Sequence, residues 1–153
     1  MIRIGITGQP GFIGTHLYNA LGLKKEAVVR IPFGDEYFEN DKLLNQFVSE
    51  CDAIVHLAAM NRHHNPDVIY ETNIGLVKKL IKACENQQVK PHILFSSSTQ
   101  EERDNLYGKS KLEGRKLFEV WAEKYEARFT GLVIPNVFGP FGQPYYNSVV
   151  ATF

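Results

Sequence analysis

Cysteine is scarce: Cys51 and Cys84 are the only two in 153 residues, far apart and outside any CxxC spacing. That excludes a disulfide framework and a zinc knuckle, and both are expected as buried or half-buried free thiols of a reducing compartment. Neither sign of charge is in excess, with 17 Lys plus Arg against 17 Asp plus Glu. No electrostatic pull toward nucleic acid or an anionic membrane follows, and neither is expected as a partner. No apolar run approaches the ~20 residues of a membrane helix. The chain opens on a strand pattern at Ile2 rather than on a charged segment and apolar h-region, so a secretory leader is not expected. A metal centre is not expected either. The neighbouring His63 and His64 are expected to splay apart, and no third ligand stands at a suitable spacing. There is no internal repeat and no low-complexity linker. With 44% hydrophobic residues, the chain reads as one cytoplasmic globular domain, long enough for a single core.

Short apolar runs alternate with helical patterns. Strands are expected at Ile2 to Ile6, Ala27 to Ile31, Ala53 to Ala59, His92 to Ser98 and Phe129 to Ile134. Helices are expected from Phe12 to Leu21, in a short segment capped by Asp41, from Asp67 to Asn86, and from Tyr107 to about Glu126. In the last of these, Phe118, Trp121 and Tyr125 form the packed face. Such alternation predicts an α/β fold, a doubly wound parallel sheet of Rossmann type with helices on both faces. Only Pro32 to Asp41 lies between the second strand and the next helix. A dinucleotide-binding half normally fits a further helix and strand there, so that unit is expected to be trimmed or lost.

The stretch Thr7 to Gly14 reads TGQPGFIG, with Gly8, Gly11 and Gly14 three apart between the first strand and the first helix. A glycine ending the strand permits a tight turn, a second lets backbone amides approach a pyrophosphate, and a third lets helix and strand pack closely. The helix N-terminus then offers unpaired N–H groups to the phosphates. After the second strand, an acidic residue would hold the ribose hydroxyls of NAD. Here the strand ends AVVRIP, and a guanidinium at Arg30 suits the 2′-phosphate of NADP. Asp35 and Glu36 follow and are placed to serve the ribose, so NAD stays open as the alternative cofactor.

The segment YGKSK sets Tyr107 and Lys111 one helical turn apart on one face. A Tyr phenol ordinarily titrates near ~10, and a neighbouring ammonium stabilises the phenolate. Such a Tyr exchanges a proton with a hydroxyl during hydride transfer. Upstream, a strand ends in SSS at the edge where open α/β sheets place their sites. Arg62, in the loop after HLAAMN, is a candidate contact for a substrate phosphate.

TGxxGFxG, HLAA, SSS, YGKSK and PNVFGP, in this order over nearly the whole chain, resemble the extended short-chain dehydrogenase/reductase family, which contains nucleotide-sugar epimerases, dehydratases and reductases. The resemblance implies a catalytic set in which Ser98 polarises the substrate oxygen, with Ser97 or Thr99 as alternates. Tyr107 is then the acid/base, and Lys111 assists it and holds the nicotinamide ribose. It further implies that Gly8, Gly11, Phe12, Ile13 and Gly14 line the pyrophosphate and that Leu57, Ala58 and Ala59 border the adenosine. Asn73 matches an asparagine of the family's long central helix. Pro135 lies near the nicotinamide and Asn136 near the substrate. A homodimer paired through the helix bearing Tyr107 is also implied.

The short interval from Ser98 to Tyr107, HLAAMNRHH and the ending NSVVATF resemble one branch in particular: bacterial capsular-polysaccharide reductases of the N-acetyl-L-fucosamine route. These reduce a 4-keto UDP-2-acetamido-6-deoxy sugar with NADPH and carry an additional cupin domain. Residues 1–153 accordingly read as one dinucleotide-binding domain, truncated relative to the family, with the C-terminal substrate-binding part missing. Tyr145 to Phe153 is expected to begin a helix, with Val149, Val150 and Phe153 prone to associate. Three functions compete: an NADP-dependent reductase of a nucleotide sugar, an epimerase or dehydratase, and a truncated non-catalytic binding module. Alone, the chain is expected to fold, bind cofactor weakly and turn over little.

Overall fold

The computed structural model describes residues 1–142. Strands β1 (Ile2–Thr7), β2 (Val28–Ile31), β3 (Ala53–His56), β4 (His92–Ser98) and β5 (Phe129–Ile134) alternate with helices α1 (Phe12–Gly22), α2 (Asp41–Glu50), α3 (Pro66–Gln87) and α4 (Leu106–Tyr125). Three helices start on asparagine side chains. Asn40 accepts from the Leu43 amide at 3.2 Å, Asn65 from Asp67 at 3.0 Å and Asn105 from Gly108 at 2.7 Å, each satisfying a first-turn N–H. The cap of α2 is therefore Asn40, one residue before the expected Asp41. Left-handed residues end α3 at Gln88 and α4 at Glu126.

All strand pairs are parallel, in the order β2-β1-β3-β4-β5. The β1-to-β2 connection runs one way across the sheet and the remaining three run the other way. Right-handed crossovers then put α1 on one face and α2, α3 and α4 on the opposite face. In agreement, α3 packs against both α2 and α4. The doubly wound parallel sheet is thus as expected. The trimmed unit is also as expected: a 3₁₀ turn, Asp35–Glu39, bridges β2 to α2, and β2 is the outermost strand.

Phe47 and Val48 of α2, Leu80 of α3 and Phe118 of α4 close over Ile54 and Ile93 of the sheet, all essentially inaccessible. Each contributes roughly 1.5–3 kcal/mol through burial. Trp121 joins them, as its place on the packed face predicts. Cys51 and Cys84 are buried here too, and burial pushes both thiols up to about 12, so neither is a nucleophile at neutral pH.

Two local expectations are corrected. The third strand stops at His56 instead of reaching Ala59: the Leu57 amide is shared between the Thr7 carbonyl and hydroxyl, both at 3.2 Å, and the Ala58 amide turns to the hydroxyl at 3.2 Å. His63 and His64 do not splay apart: their rings stack at 4.2 Å, and His63 Nδ1 accepts from the Asn65 amide. The helix expected from Tyr145 to Phe153 lies outside the described residues.

Candidate active site

The strand order reverses direction between β1 and β3, so the connections leaving their paired carboxyl ends run to opposite sides and leave a crevice. A cleft of about 1150 Å³ opens there, reaching across the sheet edge to the ends of β4 and β5. Its floor is the glycine turn. Gly8 has φ +70°, and a Cβ on it would meet the Ala58 amide nitrogen at 2.7 Å. A Cβ on Gly14 would stand 2.3 Å from the Gly8 carbonyl oxygen. Gly11 caps α1 without any side-chain hydrogen bond, and the first turn of α1 carries no acidic residue. Unlike the other three helices, α1 therefore keeps its first-turn amides free of side-chain caps. That is the surface a diphosphate requires, so the residues present fit a dinucleotide.

Beneath the turn, Thr7 Oγ1 accepts from Leu57 and Ala58 and lies 2.7 Å from His56 Nδ1. With both amides donating to it, the hydroxyl spends its own proton on Nδ1, which assigns the Nε2-protonated neutral imidazole. Nε2 has no hydrogen-bond partner among the described residues. Burial, and secondarily the Lys111 charge, push His56 down to about 3. The pair ties the end of β1 to the end of β3 and so sets the width of the crevice. Sequence reasoning passed over both residues. The available signal was polar residues at the carboxyl ends of two otherwise apolar strands.

On the opposite wall stand Ser98, Tyr107 and Lys111. Lys111 is buried. Its Nζ donates to the Ser96 carbonyl at 2.9 Å and lies 5.8 Å from the centre of the Tyr107 ring. Burial lowers its pKa to about 8. The three serines divide their work. Ser96 Oγ donates to the His56 carbonyl at 3.3 Å, and Ser97 Oγ donates to Glu101. Ser98 Oγ accepts from the Gln100 amide at 3.1 Å, which leaves its proton available to a ligand.

Gly8, Gly11, Phe12, Ile13, Gly14, Leu57, Ala58, Ala59, Arg62, Pro135 and Asn136 also line the cleft, as does Asp35. Two residues expected at the cofactor lie apart from this lining. Arg30 folds back on α1, its guanidinium 4.0 Å above the Tyr18 ring with Nη1 donating to the Tyr18 carbonyl at 3.1 Å. Asn73 is buried behind the wall. It accepts from the Met60 amide at 2.7 Å and donates to the Met60 carbonyl and to Ser110 Oγ, both at 3.0 Å. Its amide clamps the loop after β3 to α4.

The NAD dependent epimerase/dehydratase family matches residues 4–153. The chain belongs to that family. Over 99% of its length it is 32% identical to a UDP-2-acetamido-2,6-beta-L-arabino-hexul-4-ose reductase of Pseudomonas aeruginosa, of which it covers 40%. Among solved structures, the capsular polysaccharide assembling protein CapF of Staphylococcus aureus superimposes with a TM-score of 0.75 at 32% identity. That match covers 99% of this chain and 39% of CapF. RMD of P. aeruginosa, solved with NADPH, shares the fold with a TM-score of 0.82 at 22% identity, over 94% of this chain and 56% of that one. The chain thus spans about two fifths of the length of its more similar family relatives. What it contributes to the family fold is the dinucleotide crevice and the wall bearing Ser98, Tyr107 and Lys111.

Proposed function

We propose that this chain is the cofactor-binding and proton-handling part of an NADPH-dependent reductase. Its substrate is a 4-keto UDP-2-acetamido-6-deoxy sugar of capsule or surface polysaccharide synthesis. The observation that carries the reading is the convergence of Ser98, Tyr107 and Lys111 on one wall of the glycine-floored cleft. The likeness to the P. aeruginosa reductase across the whole chain supports the substrate class.

Gly8, Gly11, Phe12, Ile13 and Gly14 hold the diphosphate against the α1 N-terminus, and Leu57 to Ala59 border the adenosine. Bound NADPH supplies the hydride. Tyr107 holds the proton that the substrate oxygen receives as it becomes a hydroxyl, and the Ser98 hydroxyl donates a hydrogen bond to the same oxygen. Lys111, anchored on the Ser96 carbonyl, keeps a positive charge beside the phenol and favours its ionised form. Pro135 and Asn136, at the end of β5, face the reacting end of the cleft. Arg30 serves a 2′-phosphate by swinging from Tyr18.

In the complete protein, consumption of NADPH with the 4-keto sugar is the expected result, and Tyr107→Phe is expected to abolish it while leaving cofactor affinity nearly unchanged. Wild-type turnover in Tyr107→Phe would remove Tyr107 from the chemistry. Retained cofactor with inversion at a sugar carbon and no net redox would replace the reductase reading by an epimerase. Cofactor binding without turnover would make the protein a binding module.

A further inference from the structure

Eight residues, 99–106, join Ser98 to Tyr107. They begin as a 3₁₀ turn, Thr99–Glu102, pressed against α4. Contact with the start of α4 is so close that a Cβ on Gly108 would stand 1.9 Å from the Gln100 carbonyl oxygen. At the far side of the turn, the Glu101 carboxylate is 8% exposed. Arg115 of α4 grips it with two hydrogen bonds, Nε to Oε1 at 2.8 Å and Nη2 to Oε2 at 2.9 Å. The remaining arm of Arg115 donates to Glu119 at 2.8 Å. Ser97 donates to the same Glu101 carboxylate.

Neither Glu101 nor Arg115 lines the cleft. Arg115 keeps 27% of its side chain exposed, and a half-buried ion pair of this kind adds little stability, so the pair calls for a geometric account. Gln100, next to Glu101, donates its amide to Ser98 Oγ. That bond occupies a lone pair of the hydroxyl and leaves the proton as the group a substrate oxygen meets. The pair also occupies Ser97, removing a competing donor beside Ser98.

We propose that the Glu101–Arg115 pair is the positioning element of this site, holding the 99–102 turn so that the Gln100 amide fixes the Ser98 hydroxyl as a donor toward the substrate oxygen. The inference rests on the role given to Ser98 above. Glu101 and Arg115 touch no reacting atom; they act through Ser98.

The test uses the complete protein with Arg115→Met and Arg115→Lys, each in the wild-type and Ser98→Ala backgrounds. Arg115→Met is expected to lower kcat about tenfold to a hundredfold, the scale of a misplaced catalytic group, with the NADPH Kd unchanged. Arg115→Lys, which keeps the charge without the fork, is expected to fall between. In the Ser98→Ala background the Arg115→Met loss is expected to vanish, because the group through which it acts is gone. An equal fold-loss in both backgrounds would overturn the proposal. If Arg115→Met does not fold, the isosteric Glu101→Gln is read the same way.

A second arm is independent of any substrate. In the 153-residue chain, hydrogen exchange over residues 98–105 is expected to quicken in Arg115→Met while β1 to β3 keep their protection, and unchanged exchange there would overturn the proposal. A wild-type protein without keto-sugar turnover would sink the reductase reading and leave this exchange result to decide the positioning role.

Discussion

Lowering the pH from about 7.5 to about 5 is expected to remove ~2 kcal/mol of folding stability through His56 alone. The imidazole is 1% exposed, stacked on Phe95 with centroids 5.8 Å apart, and set edge-on to Phe118 and Phe38. Thr7 already donates to Nδ1, so a second ring proton would break that bond and place a cation among aromatic rings near Lys111. This is why burial first, and Lys111 second, push the folded value from 6.5 to about 3. Below 6.5 the unfolded chain takes up a proton that the native chain refuses until about 3. The unfolded state gains throughout that window, and stability falls as the pH falls. At about pH 5 the unfolded histidine lies about 1.5 pH units above the solution, and ~1.36 kcal/mol per unit gives the ~2 kcal/mol.

That figure holds for any native value below about 4. His92, also lowered by burial, acts in the same direction. The lowered carboxylates Asp52 and Glu101 respond only at more acid pH. The assay is urea denaturation at both pH values for the wild type and His56→Asn, whose side-chain oxygen still accepts from Thr7. The wild type should lose ~2 kcal/mol more than the variant. Equal losses, or an imidazole NMR signal titrating near 6.5 in the folded protein, would refute the reasoning.

Gly14→Ala is expected to lower NADPH affinity at least about tenfold, since its Cβ meets the Gly8 carbonyl at 2.3 Å and spreads the phosphate turn. Calorimetry with unaltered affinity would show that the turn yields freely. Asn73→Ala is expected to cost roughly 1–3 kcal/mol, because the half-buried Met60 backbone groups and the buried Ser110 hydroxyl lose their partner; no loss in urea denaturation would mean that they find another one. Arg30→Ala is expected to abolish a preference for NADPH over NADH of about ten- to a hundredfold. An equal change for both cofactors would instead make the Tyr18 stack a purely structural contact.

The layered plan is legible in the chain alone, because strand and helix signals are local. Apolar runs such as Ile2 to Ile6 and His92 to Ser98, helical spacing in α3 and α4, and glycines between β1 and α1 specify elements, their order and one cleft edge. The shortness of Pro32 to Asp41 likewise foretold the trimmed unit, which the structure replaces by a 3₁₀ turn. Family motifs placed Tyr107, Lys111 and Ser98, and these do converge on the cleft.

Where side chains turn is settled by packing, once the elements meet. Arg30 stands at the strand tip as read, but packing lays its guanidinium on the Tyr18 ring of α1, the contact that the proposed 2′-phosphate role would have to exchange. Asn73 reads as a site residue, yet three hydrogen bonds spend its amide on Met60 and Ser110. The end of β3 at His56, the Thr7–His56 bond and the Glu101–Arg115 grip on Ser98's loop join residues 14 to 51 positions apart. No periodicity in the chain records such pairs. They exist because parallel crossovers bring strand ends together and burial leaves each polar group to find its partner there.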